Sequence, residues 1–226
     1  MKIKWLLLLT IGCIPATPMS YAQSWGIHVG LGLPVGQFSA PSNADIPADV
    51  GAKPGYALSA SRLSNHRYFD LLMEFDYVSF PDKFVQTTSD GLTSIHFRHN
   101  FLIVSLGVEK VILNVNKFQP FAGIKADFVV HRTGVKVKGY RFDRDLSDDF
   151  DMIIVPGISF AVGDYYLLRE KVRLKIQSQW SIVFSGKREG GIWRTGNQNQ
   201  KISYPYDYDS TTMSFVIIEV GLIYQF

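Results

Sequence analysis

Five histidines, a scatter of serines and aspartates and a single cysteine limit the chemistry open to this 226-residue chain. A nucleophile needs a base within hydrogen-bond reach and a third group to orient that base, and no motif here assembles the three. His28 stands between glycines, where a packed or water-bonded imidazole is expected. His66 falls in a turn. His96 and His99 flank Phe97 and Arg98, a spacing that puts them on opposite faces of an extended strand and argues against a shared metal. His131 is expected near the outer rim. The glycine-rich residues 30–36 lead into a turn at Pro34 rather than an amphipathic helix, so they do not form a phosphate loop. Asp143, Asp145, Asp148, Asp149 and Asp151 could draw a cation, but they read more simply as a solvated acidic loop. No catalytic residue, metal ligand set or cofactor is assigned.

A second group of charged residues is more ordered. His28, Glu74, Asp76, Lys125, Asp127, Arg173, Lys175 and Glu219 alternate with apolar neighbours, so each lies opposite a greasy face. Both charge signs are present, and Asp70 and Arg98 extend the same set. Groups of this kind can be enclosed only if they pair and hydrogen-bond with one another. A third group is a candidate surface-binding loop with Trp193, Arg194, Tyr204, Tyr206 and Tyr208. Its tyrosines could equally extend a hairpin or sit in an interfacial aromatic belt, where Trp25, Tyr56, Tyr77, Trp180 and Tyr224 fit better.

The elements that must position these residues are strands. Period-two alternation is expected over residues 24–33, 55–63, 67–80, 92–108, 118–131, 152–163, 172–184 and 213–226. In the seventh, Val172, Leu174, Ile176, Trp180 and Ile182 oppose Arg173, Lys175, Gln177, Gln179 and Ser181. In the eighth, Val216, Ile218, Val220, Leu222, Tyr224 and Phe226 share a face opposite Glu219. The fourth is less regular: Ile95 and Phe97 are odd-numbered, whereas Leu102, Val104 and Leu106 are even, which suggests either a bulge near Asn100 or that part of this stretch stands clear of a membrane. Residues 81–91 read as a polar loop, 109–116 as a connector and 163–166 as a short turn. Alternation at 135–140 suggests that the fifth strand runs on. Connections are long after strands one, three, five and seven and short after two and six, with four less clear.

Charged residues are 19 % of the chain and aromatics 14 %, with 19 glycines, which suits many short strands in one domain. Lys2 and Lys4, an apolar run from Trp5 to Ile14 and Ser20-Tyr-Ala22 read as a signal peptide over residues 1–22, leaving a barrel domain over 23–226. Around Cys13, Thr10-Ile-Gly-Cys13 partly matches a lipidation motif. The net charge of +3 falls to +1 without Lys2 and Lys4, so nucleic acid is not an expected partner. No later run is long and apolar enough for a membrane helix.

The final strand, with Phe226, Tyr224, Leu222, Val220 and Ile218 on one face, resembles the closing strand of bacterial outer-membrane β-barrel proteins. Residues 25–38 and 121–125 resemble the small barrels common in Bacteroidota. The resemblance covers about residues 24–226. It implies an all-β, eight-stranded antiparallel transmembrane barrel of up-and-down topology, in the outer membrane, with periplasmic termini. It also implies contact with outer-membrane lipid and lipopolysaccharide and help from the barrel-assembly machinery, and it leaves open a place beside a larger outer-membrane complex. The expected role is non-enzymatic: envelope-structural, accessory or surface-binding through long loops. The alternatives are a narrow channel or secretion accessory, a lipid-acting enzyme, and a soluble periplasmic ligand-binding barrel.

Overall fold

Alternation requires a sheet, and in the computed structural model that sheet closes on itself. The structure describes residues 23–39, 52–66, 68–88, 91–115, 117–139, 146–149, 152–184, 193–195, 198–200 and 212–226. The expected signal peptide, Cys13, Asp143, Asp145, Asp151, Tyr204, Tyr206 and Tyr208 lie outside the described residues. Eight strands make the wall: β1 (Gln23–Val35), β2 (Gly55–Asn65), β3 (Asp70–Thr88), β4 (Gly91–Val111), β5 (Phe118–Gly139), β6 (Ile153–Arg169), β7 (Val172–Val183) and β8 (Met213–Gln225). Each pairs antiparallel with the next, and β8 returns to β1 from Ser24↔Gln225 to Val35↔Ser214. The result is a closed, eight-stranded, all-antiparallel up-and-down barrel. Over the height that all eight strands share, closure leaves no unpaired edge, the backbone condition for a β-structure in lipid.

The wall is uneven. β1, β2, β7 and β8 have 11 to 13 residues, whereas β3, β4 and β5 have 19, 21 and 22. The long strands rise beyond the rest on the side where β1 turns into β2, and a short strand, Leu146–Asp149, pairs onto β5 there. At the opposite end the connections are tight, with β6 reaching β7 through Glu170 and Lys171.

Facing follows the expected alternation over most of the wall. Trp25, Ile27, Val29 and Leu31 of β1 are exposed, as are Ile176 and Trp180 of β7 and Ile218, Val220 and Leu222 of β8. His28, Glu74, Asp76, Lys125, Asp127, Lys175 and Glu219 are buried in the interior. The barrel is therefore apolar outside and ionic within.

Five local expectations are corrected. Residues 81–91 are mostly strand, because β3 and β4 stay in register from Asp70↔Glu109 to Thr88↔Gly91. The same unbroken register passes through Ser79↔Asn100 and Asn100↔Arg132, so there is no bulge at Asn100. The apolar stripe of β4 instead changes face: Leu102, Val104 and Leu106 alternate outward, while Phe97 and Phe101 are buried within. Arg98, expected on the ionic face, is consequently exposed outside. Residues 163–166 belong to β6, whose irregularity falls between Leu167 and Arg169. Glu109, expected in a connector, is a buried residue of β4.

Candidate functional site

The interior has three layers. The middle one is a polar network contributed by strands that face each other across the lumen. Lys125 on β5 pairs with Glu74 on β3 and also donates to the Gln179 side-chain oxygen on β7. Gln177 Nε2 donates to Glu219 Oε2 at 2.6 Å and lies 3.4 Å from Glu74 Oε1. Ser59 donates to Glu219, and Ser105 and Ser159 donate to the two oxygens of Asp127. Asp76 meets Gln179 Nε2 at 3.5 Å, the outer limit of a hydrogen bond. Among the described residues, five buried carboxyl side chains (Glu74, Asp76, Glu109, Asp127 and Glu219) face two buried lysines. Serine and glutamine donors make up most of the difference, with Asp76 Oδ1 left without a partner among the described residues.

Lys175 and Glu109 form a second buried ion pair at 2.9 Å, and Tyr165 also donates to Glu109. The Lys175 ammonium lies 4.6 Å from the Phe121 ring centre, so an aromatic face supports the charge on its apolar side. Leu63, Leu72, Ala161 and Ile223 complete this lower layer. Arg173 is at its mouth rather than in the central network: it is half-buried and bonds Gln225 Oε1 at 2.7 Å.

The upper layer is an apolar plug. Phe38 follows Gly36, whose φ of 62° is left-handed and turns the chain back over the barrel. The Phe38 ring packs edge-on against Phe80 at 5.2 Å and Phe101 at 5.8 Å, beside Phe215, Ile217 and Val129. His131, expected near a rim, is fully buried here and stacks on Phe101 at 4.2 Å. Thr133 Oγ1 lies 3.2 Å from His131 Nε2 and 3.3 Å from His99 Nδ1. His96 and His99 take opposite faces, as their spacing predicts.

The geometry offers one serine–histidine contact in the central layer, His28 Nε2 to Ser61 Oγ at 2.9 Å. Both residues are buried in the interior, each about 1 % exposed. Among the described residues no group of histidine, cysteine, aspartate or glutamate is arranged to hold a metal. Residues 193–195 form a small hairpin with 198–200, pairing Gln200↔Trp193 and Asn199↔Arg194. The signals for the plug that sequence reasoning missed were present: Phe80, Phe97, Phe101 and Phe215 share the phase of the polar residues below them.

No protein-family model matches the sequence, and no curated protein is significantly similar to it. Solved structures do match. A major outer-membrane protein of Thermus thermophilus superposes with a TM-score of 0.52 at 10 % identity, over 91 % of this chain and all (100 %) of that one. The fold is that of the outer-membrane β-barrels. The outer-membrane protease OmpT of Escherichia coli matches at TM-score 0.47 and 10 % identity over 92 % of this chain and 97 % of its own. Ail of Yersinia pestis, crystallised with a heparin analogue, matches at 0.43 and 9 % over 92 % and 100 %. At such identities the likeness concerns the barrel alone.

Proposed function

We propose that this chain is an integral outer-membrane barrel with a sealed lumen, acting as a non-enzymatic structural, accessory or surface-binding component of the envelope. The observation that carries this reading is the inside-out distribution of polarity: buried ion pairs at the centre and exposed Ile27, Val29, Leu31, Ile176, Val220 and Leu222 around them. Water would favour the reverse arrangement, whereas hydrocarbon favours this one. The switch of the apolar stripe in β4 has the same cause. Below it the outside is lipid, so apolar side chains point out; above it the outside is water, so Phe97 and Phe101 point in.

The paired strand ends support an orientation with both termini periplasmic, since tight turns face the periplasm in such barrels and long excursions face outward. Trp25 and Tyr224, paired near one end, and Tyr56, Tyr77 and Trp180, nearer the other, suit two interfacial aromatic belts. Residues 1–22 act as the export signal in this reading, and the barrel-assembly machinery inserts domain 23–226. The resemblance of residues 25–38 to Bacteroidota barrels makes a small-barrel lineage of that group the proposed origin. The three-layered interior argues against a channel, and the enclosure of His28 and Ser61 argues against a lipid-acting enzyme. Contact with a larger outer-membrane complex through residues 186–212 is part of the proposal.

The test is membrane fractionation with heat-modifiable gel mobility. The protein should pellet with outer membranes and run faster unboiled than boiled. Recovery in the soluble periplasmic fraction, with one mobility, defeats the reading. Deleting residues 186–212 should release any co-purifying complex while leaving the mobility shift intact; a complex retained by the deletion mutant removes that loop from the proposal.

A further inference from the structure

The tight-turn end of the barrel carries apolar surface where a lipid wall no longer calls for it. On β4 the outward positions run Asn100, Leu102, Val104, Leu106, Val108 and Lys110. The two polar borders are thus a strand-crossing apart, since about 9–11 tilted residues span the hydrocarbon. Beyond Lys110 the chain enters the turn to β5, and turns in water draw mostly on Gly, Asn, Asp, Pro and Ser. This one instead presents Ile112, Leu113, Val115 and Phe118, each more than half exposed. Leu168 in the neighbouring β6–β7 turn is exposed as well. The two turns form one surface: Leu167 N–H donates to the Lys117 carbonyl at 2.9 Å, and the Phe118 and Tyr166 rings lie 4.9 Å apart. Lys110, Lys117, Arg169 and Lys171 edge it, all exposed, and none forms an ion pair among the described residues. The acids of this sector are Asp164 and Glu170.

Depth separates this patch from the lipid-facing wall. Followed around the barrel, the pairing row through Ile27 meets β5 at both Phe128 and Phe118, a stagger of ten residues. With eight strands, that stagger gives a tilt near 40°, so each residue advances about 2.5 Å along the barrel axis. Allowing for the climb from one strand to the next, Phe118 and Leu168 end roughly 7–8 Å beyond Lys110, and Val115 at the turn lies further out. The headgroup zone is about 5–8 Å thick. The centre of the patch therefore stands at or past its far limit, in water.

We infer that the rim formed by the β4–β5 and β6–β7 turns docks an acidic segment with an apolar face, belonging to a periplasmic protein. The inference rests on the orientation proposed above, which puts the tight turns in the periplasm, and adds a partner to it. An apolar centre edged by charge is the anatomy of a protein–protein contact, and four cations against two acids select a negative partner. A second copy fits badly. Related by an axis along the membrane normal, it would bring Lys110 and Lys117 towards their own twins.

The experiment uses the full barrel in phosphatidylethanolamine nanodiscs, which leave both ends open to solvent. The probe is a short fluorescent peptide alternating glutamate and leucine, read by anisotropy, beside glutamate–serine and lysine–leucine versions. The glutamate–leucine peptide should bind loaded discs and ignore empty ones. L113S/V115S should weaken it at least about 10-fold through the loss of two apolar contacts, and K117E/K171E should weaken it and flatten its salt dependence. No binding, equal binding to empty discs, or wild-type affinity in both variants overturns the inference. So does equal binding of the glutamate–serine peptide, which would mark a site for anionic polymers, or of the lysine–leucine peptide, which would remove the charge selection. A dimer in native mass spectrometry that L113S/V115S dissolves gives the face to a second copy and overturns the proposed partner. Should that double variant fail to fold, L113S alone tests the same contact. Location is read separately: V115C should react with a membrane-impermeant maleimide only after the outer membrane is permeabilised. Labelling in intact cells defeats the orientation and the inference together, whereas a barrel that inserts and labels as expected but ignores the peptide defeats the inference alone.

Discussion

Lys125 shows how narrowly the interior is balanced. It is fully buried, pairs with Glu74 and lies near Asp76, whose Oδ1 has no hydrogen-bond partner among the described residues. Lys125→Met leaves Glu74 enclosed without its cation and should cost about 3–5 kcal/mol. Urea unfolding in vesicles, followed by the gel-mobility shift, measures it. Adding Glu74→Leu removes the stranded charge and should recover about half or more of the loss, since paired removal is often close to neutral. A double variant no better than the single shows that the pair is not the source of the cost. Glycine matters at two places here. A Cβ on Gly221 would run into the His28 ring and the Ile27 carbonyl, whereas Gly36 has open space but a φ of 62°. Gly36→Ala should therefore cost only the left-handed backbone penalty, about 1–2 kcal/mol, in the same assay.

Strands carry the contrast between faces. Ile176 on β7 is exposed and pairs with Val220 of β8, well inside the apolar band. Ile176→Arg should cost roughly 2–4 kcal/mol if the band lies in hydrocarbon near the midplane, against almost nothing at an exposed site in water. Vesicle refolding distinguishes these outcomes, and an unaffected variant contradicts the outward lipid face. The first connection is an element in its own right, because it delivers Phe38 to the plug. Phe38→Ala should lose about 3–5 kcal/mol by opening a cavity among Phe80, Phe101 and Phe215. Equal unfolding midpoints for variant and wild type would mean that the plug is held without it.

At the scale of the molecule, eight strands enclose only enough space for their own side chains, and here an apolar plug above and a layer of mixed apolar and paired ionic side chains below close off the polar middle. Single-channel recording in planar bilayers should therefore show no conductance steps at any voltage. Regular steps of uniform size would require a continuous water path through the plug and remove the sealed-lumen reading. The extra height of β3, β4 and β5 gives the outside of the barrel a distinct side, and that side holds the exposed Arg98 and Arg132.

The alternation in the sequence determined the strands, their number and the face each turns to its surroundings, because pleating sets side-chain direction residue by residue. Val172 to Ser181 and Val216 to Tyr224 needed no knowledge of the rest of the chain. Partnership was different. Lys125 meets Glu74 over 51 residues of sequence and Lys175 meets Glu109 over 66, and only closure of the wall brings such groups across the lumen. The upper plug escaped notice for a related reason. The same alternation means opposite things in lipid and in water, and only the tertiary structure decides how far up the wall each solvent reaches.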